Sequence, residues 1–144
     1  MRSRPIRRFS FLALGALLTN TSTAESVRIL VQRSPLAGSQ YYAARRAWGE
    51  LRPGDRLELV READNRHDRN AIRIDWRKQA LGYIPRAENR AVARALDAGE
   101  RLVARIATLR DDPDPWRRIE FEIFVVIGDN DTAPKGSKPG EMLD

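Results

Sequence analysis

Hydrophobic and polar residues alternate along four segments of the chain. The alternation is clearest in "RRIEFEIFVVI" at residues 117–127, and it recurs in "VRILVQR" at 27–33, "RLELVRE" at 56–62 and "AIRIDW" at 71–76. A period of two residues is typical of a half-buried β-strand. Two shorter apolar segments, "ALGYI" and "RLVARIATL", complete the pattern. The sequence therefore predicts six strands.

Two other segments have the apolar spacing of helices. They are "SQYYAARRAWGEL" at 39–51 and "PRAENRAVARALDAG" at 85–99, and Gly99 provides a stop for the second. Their apolar stripes are Ala44, Trp48 and Leu51 in the first helix, and Ala91, Val92, Ala95 and Leu96 in the second. The order β, α, β, β, β, α, β, β predicts a mainly β fold, with a small, strongly curved or barrel-like sheet that carries two helices.

The two ends of the chain do not share this pattern. Residues 1–24 consist of the basic "MRSRPIRR", the apolar "FSFLALGALL" and the small polar "TNTSTA", which predicts a signal peptide cleaved after Ala24. The apolar run is too short for an ordinary transmembrane helix. We therefore expect a periplasmic or secreted protein with no stable membrane insertion after leader removal. An uncleaved anchor and a mis-assigned start are the alternatives.

Residues 129–144 have no periodicity and are rich in Gly, Pro and Asp. This composition predicts a disordered tail. The predicted domain therefore spans residues 25–128.

The predicted leader changes the charge of the protein. The chain has 26 Lys and Arg and 20 Asp and Glu, a net charge of +6, but four of the arginines lie in the leader and leave +2. Any basic site in the mature protein must therefore be local. The absence of cysteine from the sequence excludes disulfides and thiolate metal sites, so packing alone must stabilise the domain.

The polar stretch "EADNRHDRNA" at 62–71 separates two predicted strands and has more than one interpretation. Asp and Asn favour turns, so a solvated hairpin loop is the simplest. His67 between Asp64 and Asp68 suggests a metal site, but one histidine without cysteine is a poor ligand set for a transition metal. The stretch lacks the nucleophile and base that a hydrolase needs. We therefore predict a non-catalytic protein without cofactor or metal, and a metal-dependent hydrolase of anhydrides or phosphodiesters is the least favoured alternative.

Three motifs together resemble a HIRAN domain: "AGSQYY", then "LRPGDRLELVREADNRHDRNAIRI", then "LGYIPR". The resemblance runs from about Val27 to Ile127. It implies an OB-like or SH3-like curved barrel of six strands with two helices. In the eukaryotic form, which is fused to helicase-like remodelling proteins, the domain captures the 3′-hydroxyl end of single-stranded DNA.

The resemblance also implies a ligand groove in this chain. Tyr41 or His67 would stack on a base. Asp68 would accept the hydrogen bond of the 3′-hydroxyl and repel a phosphate, and Arg86 would pair with the preceding phosphate. The implied nucleic-acid-binding residues are Tyr41, Tyr42, Asn65, His67, Asp68 and Arg86.

Two positions depart from the family pattern. Gln40 replaces an arginine of the end-binding eukaryotic form, and His67 replaces a frequent tyrosine. Together with the leader, the change at Gln40 favours an alternative function: an exported domain that uses the same groove for an envelope protein or a carbohydrate.

Four more side chains are candidates outside the six residues of the groove. Trp116, beside Arg117 and Arg118, could stack on a further base. Arg90, Arg94 and Arg101 are either a solvated face or the extension of a phosphate track.

Overall fold

The computed structural model describes residues 26–128 of the chain. The predicted signal peptide 1–24 and the predicted tail 129–144 lie outside the described residues. Between them, six strands and two α-helices follow one another in the predicted order. The elements are β1 (Val27–Pro35), α1 (Ala44–Ala47), β2 (Arg56–Arg61), β3 (Ile72–Trp76), β4 (Gln79–Tyr83), α2 (Arg90–Asp97), β5 (Leu102–Leu109) and β6 (Ile119–Ile127), with 3-10 helices at Ser39–Tyr41 and Pro115–Arg117.

The six strands form one antiparallel sheet in the order β1-β6-β5-β2-β3-β4, so that β1 and β4 are its edges. The edges meet at a single bridge between Ala37, just after β1, and Tyr83 of β4. There the two backbones exchange N–H···O bonds of 2.9 Å in both directions. The predicted mainly β class with two helices is confirmed. The predicted barrel is a curved sheet that is not fully closed. Its two edges meet only at this bridge, and no continuous ladder of hydrogen bonds joins them.

The inner face of the curved sheet holds the core. Phe121 and Ile123 of β6 and Ile72 and Ile74 of β3 are all fully buried. Each such side chain contributes about 1.5–3 kcal/mol through burial of apolar surface. Trp76 also belongs to the core at 3% exposure, and its indole N–H donates a hydrogen bond to Asp55 at 3.0 Å.

The alternation in the first half of β1 predicts one buried and one exposed face, but neither face is buried. Val27, Ile29, Leu30 and Val31 are each about half-exposed, between 46% and 55%. This half of the strand lies at the edge of the sheet and pairs with the end of β6, and one extra residue between Leu30 and Gln32 shifts its register. Its apolar side chains therefore face solvent on both sides of the sheet.

The helix predicted at 39–51 is shorter and broken. A 3-10 turn at Ser39–Tyr41 and the single turn of α1 replace it, because Tyr42 between them has extended backbone angles. The predicted stripe still faces inward: Ala44 and Leu51 are buried, and Trp48 packs against the core.

The second helix also starts later than predicted. Residues 85–88 form a turn, with the Glu88 N–H bonded to the Pro85 carbonyl at 2.8 Å, and α2 begins at Arg90. The helix ends at the predicted stop, where Gly99 has φ of 80°. Its buried residues are Val92 and Ala93, whereas Ala91, placed in the predicted stripe, is exposed. No helix among the described residues is long and apolar enough to cross a membrane.

Gly82 allows the bridge between the sheet edges to form. A Cβ atom at this position would lie 2.4 Å from the carbonyl oxygen of Ala37 and 3.0 Å from the side chain of Leu36. The close neighbour of Gly82 is therefore the segment of the chain that leads away from the end of β1.

We expect Gly82→Ala to break the bridge and to lower the free energy of unfolding by about 1–3 kcal/mol, because the added methyl overpacks the contact. Urea unfolding measures the change. Gly49→Ala is the matched control, since nothing lies within 4 Å of a Cβ atom there. If both variants unfold at the same denaturant concentration, the Ala37–Tyr83 bridge does not stabilise the sheet.

Candidate functional site

The loop between β2 and β3 is ordered by its own side chains. The carboxamide oxygen of Asn65 accepts hydrogen bonds from the backbone N–H groups of His67 at 3.0 Å and Asp68 at 3.3 Å. The amide nitrogen of Asn65 donates to Glu62 at 3.0 Å. This Asx turn is the structure that Asn favours in loops. Asn65 therefore shapes the loop, and the side chains of His67 and Asp68 extend from it.

Asp68 connects the loop to the start of α2. One carboxylate oxygen accepts from the Asn70 backbone N–H at 2.9 Å, and the other accepts from the Asn89 side chain at 2.7 Å. Asn89, the residue before α2, is only 1% exposed. A carboxylate oxygen has two lone pairs, so each can accept one more hydrogen bond. Asp68 is thus held in place while part of it stays accessible.

A groove of about 400 Å³ lies between this loop and α2, and we call it the basic groove. Four arginines and one histidine line it, with Asp68 as its single acid. None of the four arginines forms an ion pair with another residue of the described chain. The groove therefore carries a local positive field in a protein of low predicted net charge. Its lining residues are Arg66, His67, Asp68, Arg69, Asn70, Arg86, Ala87 and Arg90.

The two predicted tyrosines lie on a different surface. Tyr41, which is 80% exposed, and Tyr42 line a wider groove of about 740 Å³ together with Arg46 and Arg77, and we call it the aromatic groove. The guanidinium of Arg77 stacks over the Trp76 ring at 4.2 Å. The six predicted residues are thus divided: Tyr41 and Tyr42 line the aromatic groove, His67, Asp68 and Arg86 line the basic groove, and Asn65 lines neither.

Tyr83 and Glu62, which the sequence did not single out, connect the two grooves. The Tyr83 ring lies 5.6 Å from the Tyr42 ring, and its hydroxyl donates to Glu62 at 3.1 Å. The same carboxylate accepts from Arg73 at 3.0 Å and from Asn65. A continuous set of contacts therefore leads from Tyr42 to the loop, and we call Glu62, Asn65, Arg73 and Tyr83 the Glu62 network.

Two members of this network, Tyr83 and Arg73, have raised pKa values. Burial raises the pKa of Tyr83 to about 12, and the hydrogen bond to Glu62 adds to the effect. The hydrogen bond to Asp75 raises the pKa of Arg73 further above its already high value, although burial opposes the shift. At neutral pH, Tyr83 and Arg73 are therefore both hydrogen-bond donors to the Glu62 carboxylate.

Gln40 lies in a third surface depression, of about 360 Å³, together with Arg45, Trp48 and Arg118. The side chains of Arg45 and Arg118 therefore provide two cations beside Gln40, the position at which the eukaryotic form of the family has an arginine. Trp116, the candidate for extra stacking, is half-exposed in the 3-10 helix that precedes β6.

His67 is not part of a cluster of metal-ligating side chains among the described residues. Within residues 26–128, no group of three or more metal-ligating side chains comes together. Asp68, one of the two acids that flank His67 in sequence, uses its carboxylate on Asn70 and Asn89. The hydrolase alternative therefore rests on the sequence pattern alone.

Tyr83 should ionise late in an alkaline titration. Since its pKa is about 12 in the folded protein against 10.0 ordinarily, the neutral phenol stabilises the fold below pH 10, and this contribution is lost as the pH rises from 10 to 12. Absorbance at alkaline pH should show a late step for one of the three tyrosines. Tyr83→Phe should remove the late step and Tyr41→Phe should keep it; a late step that survives Tyr83→Phe would contradict the assignment.

Comparison with known proteins places this fold in a family. The model of the HIRAN domain matches residues 29–128. No curated protein is significantly similar to the chain. Among solved structures, a protein from Lactobacillus plantarum is 26% identical with a TM-score of 0.61, over 71% of this chain and 98% of its own. The HIRAN domain of human HLTF is 17% identical with a TM-score of 0.55, over 70% and 78%, a likeness that supports the fold. The chain therefore belongs to the HIRAN domain family.

Proposed function

We propose that this domain is a non-catalytic nucleic-acid-binding module that receives the 3′-hydroxyl end of single-stranded DNA in the basic groove. Membership of the HIRAN family supports nucleic-acid binding in general. The observation that carries the proposal is the groove itself, which is lined by one anchored carboxylate and by four arginines that form no ion pair within residues 26–128. The cations attract the phosphates of any strand, whereas the Asp68 carboxylate distinguishes one kind of strand end from another.

Asp68 is suited to distinguish an end from the interior of a strand. Its oxygens are positioned by Asn70 and Asn89 and retain lone pairs for a further donor. A free 3′-hydroxyl is such a donor, whereas a 3′-phosphate brings a second negative charge and no suitable proton. The carboxylate therefore favours the terminal hydroxyl and repels a continuing or phosphorylated strand.

Arg86 is suited to the phosphate that precedes the terminal sugar. It lies in the turn before α2, its side chain is exposed, and it lines the same groove as Asp68. A guanidinium can bind a phosphate through two parallel hydrogen bonds, which adds orientation to attraction. In this arrangement the two partners act on adjacent groups of one nucleotide.

The terminal base would extend toward the aromatic groove. His67 is exposed at the loop. The Tyr42 ring contacts the Tyr83 ring, and Tyr83 is held in place by its hydrogen bond to Glu62. Stacking of a base on such a ring contributes about 1–3 kcal/mol and tolerates any sequence. Tyr41, the most exposed of the aromatic residues, is available to a neighbouring base.

The first 24 residues support export of this module, in which case chromosomal ends would not be its ordinary ligand. A second candidate function is therefore an exported domain that binds an envelope protein. The surface that favours it is the edge strand β1, where four apolar residues are about half-exposed. An unpaired apolar edge can accept a strand from another protein. This surface is separate from the basic groove, so substitutions in the groove should not affect such a partner.

End recognition predicts a preference for a free 3′-hydroxyl. We expect the protein to bind a short single-stranded oligonucleotide at least about tenfold more tightly than the same strand with a 3′-phosphate. Arg86→Glu should weaken both interactions, whereas Arg56→Glu, an exposed arginine on β2, should change neither. Fluorescence anisotropy at two salt concentrations measures the affinities. Equal affinity for the two ends would refute end recognition, even if binding weakens with salt.

Asp68→Asn should reduce the preference for the hydroxyl, because the amide is uncharged and can donate to a phosphate. Since the substitution also weakens the contact with Asn89, the control is Asn89→Ala, which loses the same contact but keeps the carboxylate. We expect Asn89→Ala to lower thermal stability and to retain the preference. A preference that survives Asp68→Asn unchanged would show that this carboxylate does not read the end.

A further inference from the structure

The exposed face of α2 carries an arginine at every fourth position. Arg86, in the turn before the helix, is followed by Arg90 and Arg94, and all three are exposed. An α-helix rises about 1.5 Å per residue, so Arg90 and Arg94 lie about 6 Å apart along its axis, and Arg86 precedes Arg90 by four residues in the turn. This spacing is close to that of successive phosphates on an extended single strand. Ala87 and Ala91, both exposed and small, leave the surface between the arginines open.

This charge pattern is unfavourable for the helix itself. Arg90 and Arg94 are like charges at i and i+4, which repel each other. Arg90 is also at the amino end of α2, where the helix dipole disfavours a cation, and neither an acidic residue in the first turn nor a side-chain cap compensates for it. The helix would be more stable with an acid at this position. A bound polyanion would remove the penalty.

Two acids lie near this face, and neither forms an ion pair with Arg90 or Arg94 within residues 26–128. Glu88 lines the same depression as these two arginines, but its carboxylate accepts a hydrogen bond from the buried hydroxyl of Ser34. Asp97, in the last turn, is paired with Arg61 through two contacts of 3.0 and 3.2 Å. Within the described chain, neither Arg90 nor Arg94 has an acidic partner.

We propose that Arg90 and Arg94 continue the basic groove as a track for the phosphates that lie upstream of the terminal nucleotide. The inference rests on the proposed function, since it extends the path of the same strand. The depression beside Arg90, Ala91 and Arg94 shares Ala87 and Arg90 with the basic groove, so that the two surfaces are continuous. The backbone then follows α2 while the terminal base is directed toward the tyrosines.

Arg101, which the sequence grouped with these residues, is not part of the track. It lies after the end of α2 and lines a separate depression with Gly99, Val125 and Ile127. The track therefore consists of Arg86, Arg90 and Arg94.

The test compares the full-length chain with its Arg90→Gln/Arg94→Gln variant on two oligonucleotides with free 3′ ends. One is roughly three nucleotides long and fills only the end site, and the other is roughly nine, within the usual range of single-strand sites. We expect the wild type to bind the longer strand at least about tenfold more tightly, and the double variant to lose this gain. Because Arg90 also lines the basic groove, Arg94→Gln alone is the variant that should bind the shorter strand as before. Each lost phosphate contact should reduce the slope of log affinity against log salt by about 0.7, or about 1.4 for both.

Arg28→Gln/Arg56→Gln is the matched control, because both arginines are exposed but lie on the strands β1 and β2. It should leave both affinities and the salt slope unchanged. Arg90→Glu separates binding from folding: it should weaken binding of the longer strand while its Tm stays the same or rises, because an acid at the start of α2 favours the helix.

The outcomes separate the two proposals. If the wild type does not bind the short strand, end recognition fails, and the track fails with it. If the short strand binds but length and the α2 substitutions have no effect, the track is refuted and end recognition stands. A third outcome is that the wild type binds phosphatidylglycerol vesicles but neither oligonucleotide, and that the α2 variant loses vesicle binding. This result would assign the arginine face to an anionic membrane surface and overturn the track.

Discussion

The backbone bridge between Ala37 and Tyr83 positions much of the candidate site. It joins the two edges of the sheet and so places the segment with Tyr41 and Tyr42 beside β4. Tyr83 also contributes its ring to Tyr42 and its hydroxyl to Glu62, so that one residue links sheet closure to the shape of the β2–β3 loop. The close approach is possible because Gly82 has no side chain. The stability of the fold and the geometry of the site are therefore coupled.

The distribution of ion pairs explains how the basic groove keeps its positive charge in a chain that has 20 acidic residues. On β1, β5 and β6, Glu120 and Glu122 are held between arginines: Arg33 contacts both, Arg110 contacts Glu120, and Arg105 contacts Glu122. Burial would raise the pKa of Glu120, but the hydrogen bonds from Arg110 and Arg33 hold it below its usual range. The acids of this sheet face are thus engaged locally, and among the described residues the arginines of the basic groove have no ion-pair partner.

Periodicity was sufficient to predict the fold class, the order of the elements along the chain and many of the core residues, because alternation reports directly which residues face inward. It failed where the backbone departs from regularity. Alternation would place Tyr83 on the same face as buried Leu81, but a register shift between β3 and β4 leaves Leu81 without a partner and sets Tyr83 opposite Arg73. The division of the predicted residues between two grooves likewise depends on how the loop and α2 pack, which no local pattern records.

The departure at Gln40 has less effect on the charge of the surface than the sequence alone indicates. Arg45 and Arg118 line the same depression as Gln40, and the basic groove has its own four arginines. Attraction to phosphates is additive over cations and does not need one at a particular position. Selection of an end is different, since it requires one carboxylate at a fixed place. Under the proposed function this carboxylate is that of Asp68, which the Asn70 backbone still holds when the contact with Asn89 is lost, so specificity should depend on the β2–β3 loop more than on the number of arginines.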